Sequence, residues 1–409
     1  MTYIYRFQEK KLRELLKNPE IIAVTGPRQA GKTTLISHVL DTLPNSAYYT
    51  FDNIQMAKQF TDSPDAFFER YMQGKEIVFL DEIQYIPDGG KILKYLYDTK
   101  CSFVNNLQKS PKKGVKIIVS GSSAPEVSLQ SLKYLVGRVS IIEVLPLSLS
   151  EYINYRDPKL FEMILAGQSV RVFTGDLQKF TSEYLIYGGY PRVAIGVTHD
   201  EKITVIQNIV QTLLLKEIRD LAGLADNDKL QKLIKSLVLM QGGLIEYKKL
   251  SELTGYSFDS VKKYITILEQ TYIIHKAIPY FTNKLKEMVK SPKIYFFDLG
   301  IRNYLIDDFR GYDLRLDKGG MLEALMANHL QSRQKPLYFW RSKSGSEVDF
   351  IKILPENNIE IFECKWSFEA LKQETITNIK KLYTISDSKI ISFIPSTSKS
   401  SVAIWEVIN

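Results

Sequence analysis

The sequence predicts an α/β protein built on a doubly wound sheet, in which strands and helices alternate along the chain. Apolar runs of strand length recur at residues 21–25, 47–51, 77–80, 116–119 and 139–145. Helix-like stretches lie between them, notably at 32–40 and 91–107. At 409 residues the chain exceeds one ordinary domain of about 100 to 200 residues, so further domains are expected.

Composition narrows the class of protein. Hydrophobic residues make up 44% and charged residues 24%, the balance of a globular protein in water. The net charge of +8 is compatible with an anionic partner and equally with a solvated basic surface. Cys101 and Cys364 have no partner at zinc or redox spacing, which favours a reducing cytoplasm. We expect neither a signal peptide nor a membrane span.

The segment GPRQAGKT, Gly26 to Thr33, matches the phosphate-loop pattern G-x-x-x-x-G-K-[ST] between a predicted strand and a predicted helix. Its glycines let backbone N–H groups point at phosphate oxygens, and the helix N-terminus favours negative charge. Lys32 is expected to reach the β- and γ-phosphates, and the Thr33 hydroxyl to ligate Mg²⁺. The predicted ATP-binding residues are Gly26, Pro27, Arg28, Gln29, Ala30, Gly31, Lys32, Thr33 and Thr34.

Asp81 and Glu82 follow the apolar run 77–80 and supply the second half of this site. At the end of a strand, Asp81 is placed to hold hydrated Mg²⁺, and Glu82 to orient and deprotonate the attacking water. Strand 47–51 lies in sequence between the two halves, as expected where an extra strand separates them. The sequence therefore predicts hydrolysis of ATP with Mg²⁺ as cofactor.

Two further residues are candidates for the same chemistry. Ser122 follows the fourth strand, where a hydroxyl can sense the γ-phosphate, although an ordinary strand-to-helix turn explains it as well. Arg138 precedes the fifth strand and either closes a surface salt bridge or acts as an arginine finger. Such a finger works within the chain or across a subunit boundary, which leaves a homo-oligomer open.

Beyond the first domain, residues 1–150, three regions follow. Apolar positions at helical spacing predict a helical extension over 151–228. Helices and two β-rich segments predict a winged helix-turn-helix over 229–310, and helix-strand alternation predicts a small α/β domain over 311–409.

Lysines are concentrated in the predicted winged helix. Ser257 is the expected N-cap of the predicted helix 258–270, which carries Lys262 and Lys263 on its polar face. The presumed wing adds Lys276, Lys284, Lys286, Lys290 and Lys293. Such a patch can grip DNA phosphates with little sequence preference, and the alternative is a protein-contact module with a solvated basic face.

The segments GPRQAGKTTL, IVFLDEIQ, VSGSSA, LVGRVSIIEVLPLSLSEY and YGGYPRV together resemble prokaryotic AAA+ ATPases of the archaeal-ATPase type. The resemblance implies an ATPase followed by a winged helix and a C-terminal domain of unknown function similar to PD-(D/E)XK nucleases. It also implies nucleotide contacts by Lys32 and Thr33, magnesium and catalytic roles for Asp81 and Glu82, a sensor at Ser122 and a finger at Arg138. A serine sensor departs from the Asn or Thr of many AAA+ proteins.

The nuclease resemblance rests on Glu323 in a predicted helix, Asp349 in one strand, and Glu363 and Lys365 at the end of the next. Residues at i and i+2 of a strand face the same side, so Glu363 and Lys365 converge. The predicted Mg²⁺ ligands are Glu323, Asp349 and Glu363, with Lys365 serving the attacking water. Val348 replaces the proline that names the motif, and salt bridges in a fold without chemistry are the alternative.

Two functions fit these observations. In the first, ATP turnover drives DNA binding or processing through the winged helix and the nuclease-like domain. In the second, ATP controls assembly with a protein partner, and the C-terminal domain is a silent docking module.

Overall fold

The computed structural model describes residues 3–101, 114–121, 133–212, 227–281, 287, 290–331, 336–342, 344–367, 369, 371–396, 398 and 400–407. Ser122, Lys284 and Lys286, which the sequence singled out, lie outside these residues. The chain forms two compact units. The first comprises Met1–Pro146 with Gln270–Tyr272, and the second Leu147–Glu269 with Ile273–Asn409.

A five-stranded parallel sheet forms the centre of the first unit, in the order β2-β3-β4-β1-β5. Its strands are β1 Ile21–Thr25, β2 Ser46–Thr50, β3 Ile77–Asp81, β4 Lys116–Ser120 and β5 Val139–Glu143. The parallel α/β sheet predicted from the apolar runs is confirmed. As expected, an extra strand separates β1 from β3: this strand is β4, whereas β2, which lies between them in sequence, is at the edge beyond β3.

Helices cover both faces of this sheet. They are α1 Gln8–Leu15, α2 Lys32–Leu40, α3 Ile54–Asp62, α4 Pro64–Phe67 and α5 Gly89–Leu96. Alternate residues of β1 enter different cores, with Ile21 and Ala23 in one and Ile22 and Val24 in the other. A strand buried on both faces requires an unbroken apolar run, which is the pattern that the sequence shows.

The second unit begins with helices and ends in a mixed sheet. Its helices are α6 Leu149–Arg156, α7 Pro158–Leu165, α8 Thr174–Tyr187, α9 Pro191–Ala194, α10 His199–Val210, α11 Asn227–Leu239, α12 Tyr247–Thr254, α13 Phe258–Gln270, α14 Leu299–Leu305, α15 Lys318–Gln331 and α16 Gln373–Lys380. As predicted, Ser257 caps α13 by accepting a hydrogen bond from the Ser260 N–H at 3.1 Å.

The mixed sheet has seven strands in the order β12-β11-β10-β9-β8-β6-β7. They are β6 Ile274–Pro279, β7 Lys293–Phe296, β8 Leu337–Arg341, β9 Glu347–Ile353, β10 Asn358–Ser367, β11 Thr384–Ile394 and β12 Ser401–Ala403. The hairpin β6-β7, predicted as the wing of a separate domain, joins this sheet through parallel pairing of β6 with β8. The predicted division at 310/311 therefore does not separate two sheets.

The glycine pair after α8 forms a tightly held turn. Gly188 has φ 78°, and the Gly189 N–H donates to the Asp298 carboxylate at 2.7 Å. A Cβ on Gly188 would lie 2.2 Å from a carboxylate oxygen of Asp298, so glycine is required there. Burial raises the pKa of Asp298 to about 6.

In the part of the chain that the structure describes, no helix is long and apolar enough to cross a membrane.

Candidate functional site

The loop between β1 and α2 has the curled backbone that phosphate binding requires. Gly26 has φ 139°, and a Cβ there would lie 2.0 Å from the Val144 carbonyl oxygen, so no larger residue fits. Gln29 and Gly31 also have positive φ, at 60° and 94°. Left-handed residues let a loop curl so that its backbone N–H groups point toward a common centre, which is how such loops bind anions.

Lys32 and Thr33 lie in the first turn of α2, the position at which phosphate-loop residues contact the anion. The Lys32 ammonium is buried and donates to the carbonyl oxygens of Gly26 and Pro27, each at 2.8 Å. The Thr33 hydroxyl donates to Asp81 Oδ2 at 2.8 Å. The two halves of the predicted site are thus in direct contact.

Asp81 is the point at which several elements of the sheet meet. Its Oδ1 accepts hydrogen bonds from the Ser120 hydroxyl at the end of β4 and from the Glu82 N–H. Its Oδ2 accepts from Tyr48 of β2 at 3.1 Å as well as from Thr33. Burial and the charge of Asp81 raise the pKa of Tyr48 to about 12, so the phenol stays a donor. These contacts hold the carboxylate in one orientation.

Two of these contacts were not predicted from the sequence. Ser120, the last residue of β4, donates a hydrogen bond to Asp81, whereas the sequence pointed to Ser122. Tyr48 was missed because its strand was interpreted only as a spacer. The available signal was a polar aromatic side chain in a strand that borders the Asp81 strand.

The hydroxyl of Thr33 and the carboxylate of Asp81 fit hydrated Mg²⁺, because hard oxygen atoms are the ligands that this ion prefers. The remaining predicted contact residues occupy the loop itself. Arg28 lies near the Tyr85 hydroxyl at 3.4 Å, and Thr34 is exposed in the first turn of α2. The roles of these residues toward nucleotide stay predictions.

Glu82 has a strained backbone directly after β3. Its φ of 59° and ψ of 45° are left-handed, which costs a residue with a side chain about 1 to 3 kcal/mol. The Gln84 amide donates to Glu82 Oε2 and so restrains the carboxylate. Strain of this kind is concentrated at functional residues, and it occurs here at the predicted catalytic base.

Arg6 holds the phosphate loop through a hydrogen bond to its backbone. The sequence did not point to this residue. Its guanidinium is buried, with 3% of the residue exposed. It donates to the Ala30 carbonyl at 2.7 Å and to the Leu145 carbonyl at 2.5 Å. An isolated arginine near the start of the chain matches no motif, so the sequence carries no signal for this role.

Replacing Arg6 with Met is expected to lower the free energy of unfolding by about 2 to 3 kcal/mol, because hydrogen bonds from charged groups to buried carbonyls are lost. ATP affinity should fall as well, since Ala30 belongs to the phosphate loop. Thermal unfolding and ATP titration measure both effects. Arg13→Met is the matched control, because Arg13 is 38% exposed in its pair with Glu9. Equal stability of the two variants would contradict a role for Arg6.

Arg138 lies at the amino ends of strands β1 and β5, whereas the phosphate loop follows the carboxyl end of β1. Its carbonyl accepts from the Ile21 N–H at 2.8 Å, at the start of β1, and its side chain pairs with Asp98 at 2.6 Å. The five residues of β1 span roughly 15 Å at about 3.3 Å each. Arg138 therefore does not reach the phosphate loop of its own chain. This corrects the alternative in which Arg138 acts as an arginine finger within the chain. A finger across a subunit boundary stays a prediction.

The C-terminal sheet brings the predicted nuclease-like residues close together. Asp349 of β9 accepts a hydrogen bond from the Cys364 N–H of β10 at 2.9 Å. Glu363 and Lys365 pair at 3.0 Å, so these residues share a side of β10 as predicted. Burial raises the pKa of Asp349, and burial with the charge of Asp349 raises the pKa of Glu323 and Glu363.

A lysine that the sequence analysis assigned to the basic wing lies among these acids. Lys293 Nζ is 3.0 Å from Glu323 Oε1 and 3.8 Å from Asp349 Oδ1, and it also pairs with Glu347. Burial by itself lowers the pKa of Lys293, but the surrounding carboxylates outweigh it and raise the pKa above its usual value. Lys293 is therefore not available to DNA phosphates, which corrects its assignment to the basic patch.

The acids do not fit a metal ion in this arrangement. Within the described residues, no group of three or more His, Cys, Asp and Glu side chains is placed to hold one. The proposed ligands Glu323 and Asp349 instead face the ammonium of Lys293. Metal ligation by Glu323, Asp349 and Glu363, and a catalytic role of Lys365, stay predictions that this geometry does not favour.

An open groove of about 1160 Å³ lies beside helices α12 and α13. Its lining includes the lysines and aromatic residues Tyr247, Lys248, Lys249, Phe258, Lys262, Lys276 and Lys290. The ammonium of Lys262 lies over the Phe258 ring, 4.5 Å from its centroid. Lys249 and Lys276 are paired with Glu246 and Glu269. Glu246, Glu252 and Glu287 also line the groove, which thus combines a surplus of lysines with aromatic surface.

Three family models match successive parts of the chain. Residues 18–153 match an AAA domain, residues 178–311 a domain of unknown function, DUF8612, and residues 318–408 another, DUF4143. The last two regions meet near the predicted division at 310/311, although the seven-stranded sheet includes strands from both.

Relatives from distant organisms are similar over most of the chain. An uncharacterised protein of Mycobacterium tuberculosis is 25% identical over 347 residues, 83% of this chain and 69% of the relative. One of Haemophilus influenzae is 27% identical over 384 residues, 86% of this chain and 88% of the relative. Among solved structures, a Walker-type ATPase of Pyrococcus abyssi aligns with a TM-score of 0.47 and 13% identity, covering 74% of this chain and 96% of that one.

The family match covers the same residues as the phosphate loop, the Asp81 strand and the parallel sheet that joins them. Residues 18–153 therefore form an AAA-type P-loop domain, and the regions that follow it match two domains of unknown function.

Proposed function

We propose that the protein binds and hydrolyses ATP at the phosphate loop and uses this cycle to control its contact with DNA. The observation that carries the ATP half is the 2.8 Å hydrogen bond between Thr33 and Asp81. It joins the phosphate loop to the acidic strand, which are the parts that must cooperate in phosphoryl transfer.

Each residue of the site has a separate task in this proposal. The Lys32 ammonium, which now donates to the Gly26 and Pro27 carbonyls, turns to the β- and γ-phosphates. Bound Mg²⁺ supplies neutralisation of the charge that develops on the phosphate oxygens. Glu82 orients the attacking water and accepts its proton, while Gln84 keeps the carboxylate in place.

The groove beside α12 and α13 supports the DNA half of the proposal. Lysine ammonium groups neutralise phosphates, and this contact depends on salt rather than on base sequence. Phe258 and Tyr247 add flat aromatic surface beside Lys262, on which an unpaired base can stack. We therefore propose that the groove binds the DNA backbone with modest sequence preference.

Replacing Lys262 or Lys290 with Ala is expected to weaken DNA binding uniformly across sequences. Each lost phosphate contact should lower the magnitude of the slope of log K against log salt by about 0.9 for a duplex. Fluorescence anisotropy over a salt series, with and without ATP, measures it. Lys159→Ala is the control, since Lys159 is exposed on α7, outside the groove. Unchanged slopes in both groove variants would argue against this surface.

The second candidate is an ATP-dependent regulator of a protein partner, whose C-terminal region only docks. The pairing of Lys293 with the acids of the nuclease-like cluster favours it, because those acids are already neutralised within the chain. Failure to bind DNA at low salt, together with an ATP-dependent change in oligomeric state, would support this candidate over the first.

A further inference from the structure

We infer that Lys293 is the resident cation of the acidic cluster formed by Glu323, Glu347 and Asp349, and that it excludes a divalent metal from this cluster. The inference concerns the second unit alone and does not depend on ATP hydrolysis or on DNA binding.

The position of Lys293 carries the inference. Its ammonium lies 3.0 Å from Glu323 Oε1 and 3.8 Å from Asp349 Oδ1 and pairs with Glu347. These acids come from helix α15 and strand β9, so the lysine is surrounded by different elements. An ammonium has three N–H donors, and those of Lys293 are within hydrogen-bond distance of Glu323 and Glu347, while Asp349 adds an ion pair at longer range.

Lys293 has no short path out of the cluster. Its side chain is 4% exposed, and its ammonium lies 5.4 Å from the centroid of the Phe339 ring. Its backbone is held in β7, opposite Ala277 of β6, with a further bridge to Leu244. Withdrawing the ammonium would leave the partly buried carboxylates without this partner, which is unfavourable.

The same oxygens cannot serve the lysine and a metal together. Mg²⁺ needs oxygen ligands at about 2.0 to 2.1 Å in octahedral geometry, and a site between Glu323 and Asp349 would place the ion against the ammonium. A divalent cation and an ammonium in direct contact repel each other strongly inside a protein. Tyr295 also donates to Glu323 Oε1 at 2.5 Å, so this oxygen has a second donor already.

Other cations complete the neutralisation of the surrounding acids. Lys365 pairs with Glu363 at 3.0 Å, and Arg341 lies 3.5 Å from Glu347. The cluster is thus a set of ion pairs that fastens β7 to α15 and β9. Metal-dependent cleavage of DNA by Glu323, Asp349 and Glu363 is not expected while Lys293 is in place.

Binding of Mn²⁺, followed by electron paramagnetic resonance, tests the inference on nucleotide-free protein. All variants carry Asp81→Asn, which removes the carboxylate of the ATP site as a competing ligand. With Lys293 present, adding Glu323→Gln should not change Mn²⁺ binding, because no ion is held there. A single Mn²⁺ site that Glu323→Gln abolishes would overturn the inference, and this comparison does not require any change of Lys293.

Lys293→Met supplies the converse test, since it removes the charge at similar side-chain length. This variant should bind one Mn²⁺ at least about tenfold more tightly than its parent. A change of about tenfold is the lower end of the changes in metal affinity that follow when residues around metal ligands are replaced. Mn²⁺ should also raise its melting temperature, but not that of the parent or of Lys293→Arg. A folded Lys293→Met protein that shows neither change would count against the cation role, and if it does not fold the Glu323→Gln comparison decides.

Discussion

Lys32→Ala is expected to weaken the binding of ATP by roughly 10²- to 10⁴-fold. In the proposed function the Lys32 ammonium donates to the β- and γ-phosphates, and charged hydrogen bonds contribute about 1.5 to 3 kcal/mol each. A methyl group cannot replace them at the helix N-terminus. Titration calorimetry with ATP and Mg²⁺ measures the loss.

The variant should remain folded, which makes the measurement interpretable. Without nucleotide, Lys32 donates to the Gly26 and Pro27 carbonyls of its own loop. Lys58→Ala is the control, because Lys58 is exposed on α3 and carries the same charge. If folded Lys32→Ala protein retained the affinity of the parent, the nucleotide site would lie elsewhere in the chain.

Glu82→Gln is expected to bind ATP with nearly unchanged affinity and to hydrolyse it about 10²- to 10⁴-fold more slowly. The amide keeps the shape of the side chain and cannot accept the proton of the attacking water. Phosphate release under saturating ATP measures turnover, and nucleotide titration measures affinity on the same protein.

The structure indicates that replacing Glu82 leaves the other contacts of the ATP site in place. Glu82 is fixed by its own left-handed backbone and by Gln84. Its side chain takes no part in the contact between Thr33 and Asp81. Glu69→Gln, at an exposed position in the same unit, controls for the loss of one negative charge. Turnover near that of the parent would assign the base to another residue.

The sequence predicted the sheet and the phosphate loop because both are local patterns. Strands buried on both faces need continuous apolar runs, and the loop needs Gly26 and Gly31 at fixed positions. The proximity of Thr33 and Asp81 also followed, since the loop after β1 and the end of β3 lie at the carboxyl ends of strands in one parallel sheet.

Residues that act over long sequence separations were beyond that reasoning. Arg6 contacts Leu145, 139 residues away, and no pattern near either residue indicates it. Arg138 precedes the fifth strand as predicted, but the sequence did not show that this end of the strand lies away from the phosphate loop.

Lys293 was misassigned for a different physical reason. Successive side chains of a strand alternate between faces, and register decides which face is buried. Composition marked residues 276–293 as basic, but only pairing of β7 within the sheet turns Lys293 toward Glu323. A count of charges therefore could not distinguish a surface lysine from a buried one.

The continuous seven-stranded sheet also limits how such chains can be recombined during evolution. A crossover between the regions that match separate families, at residues 311–318, would leave β6 with β7 as its remaining neighbour. An isolated two-stranded hairpin is marginal in water, and the unpaired edge of β6 would invite association with other chains. The two regions are consequently expected to be inherited together, as a single piece, even though each has its own family.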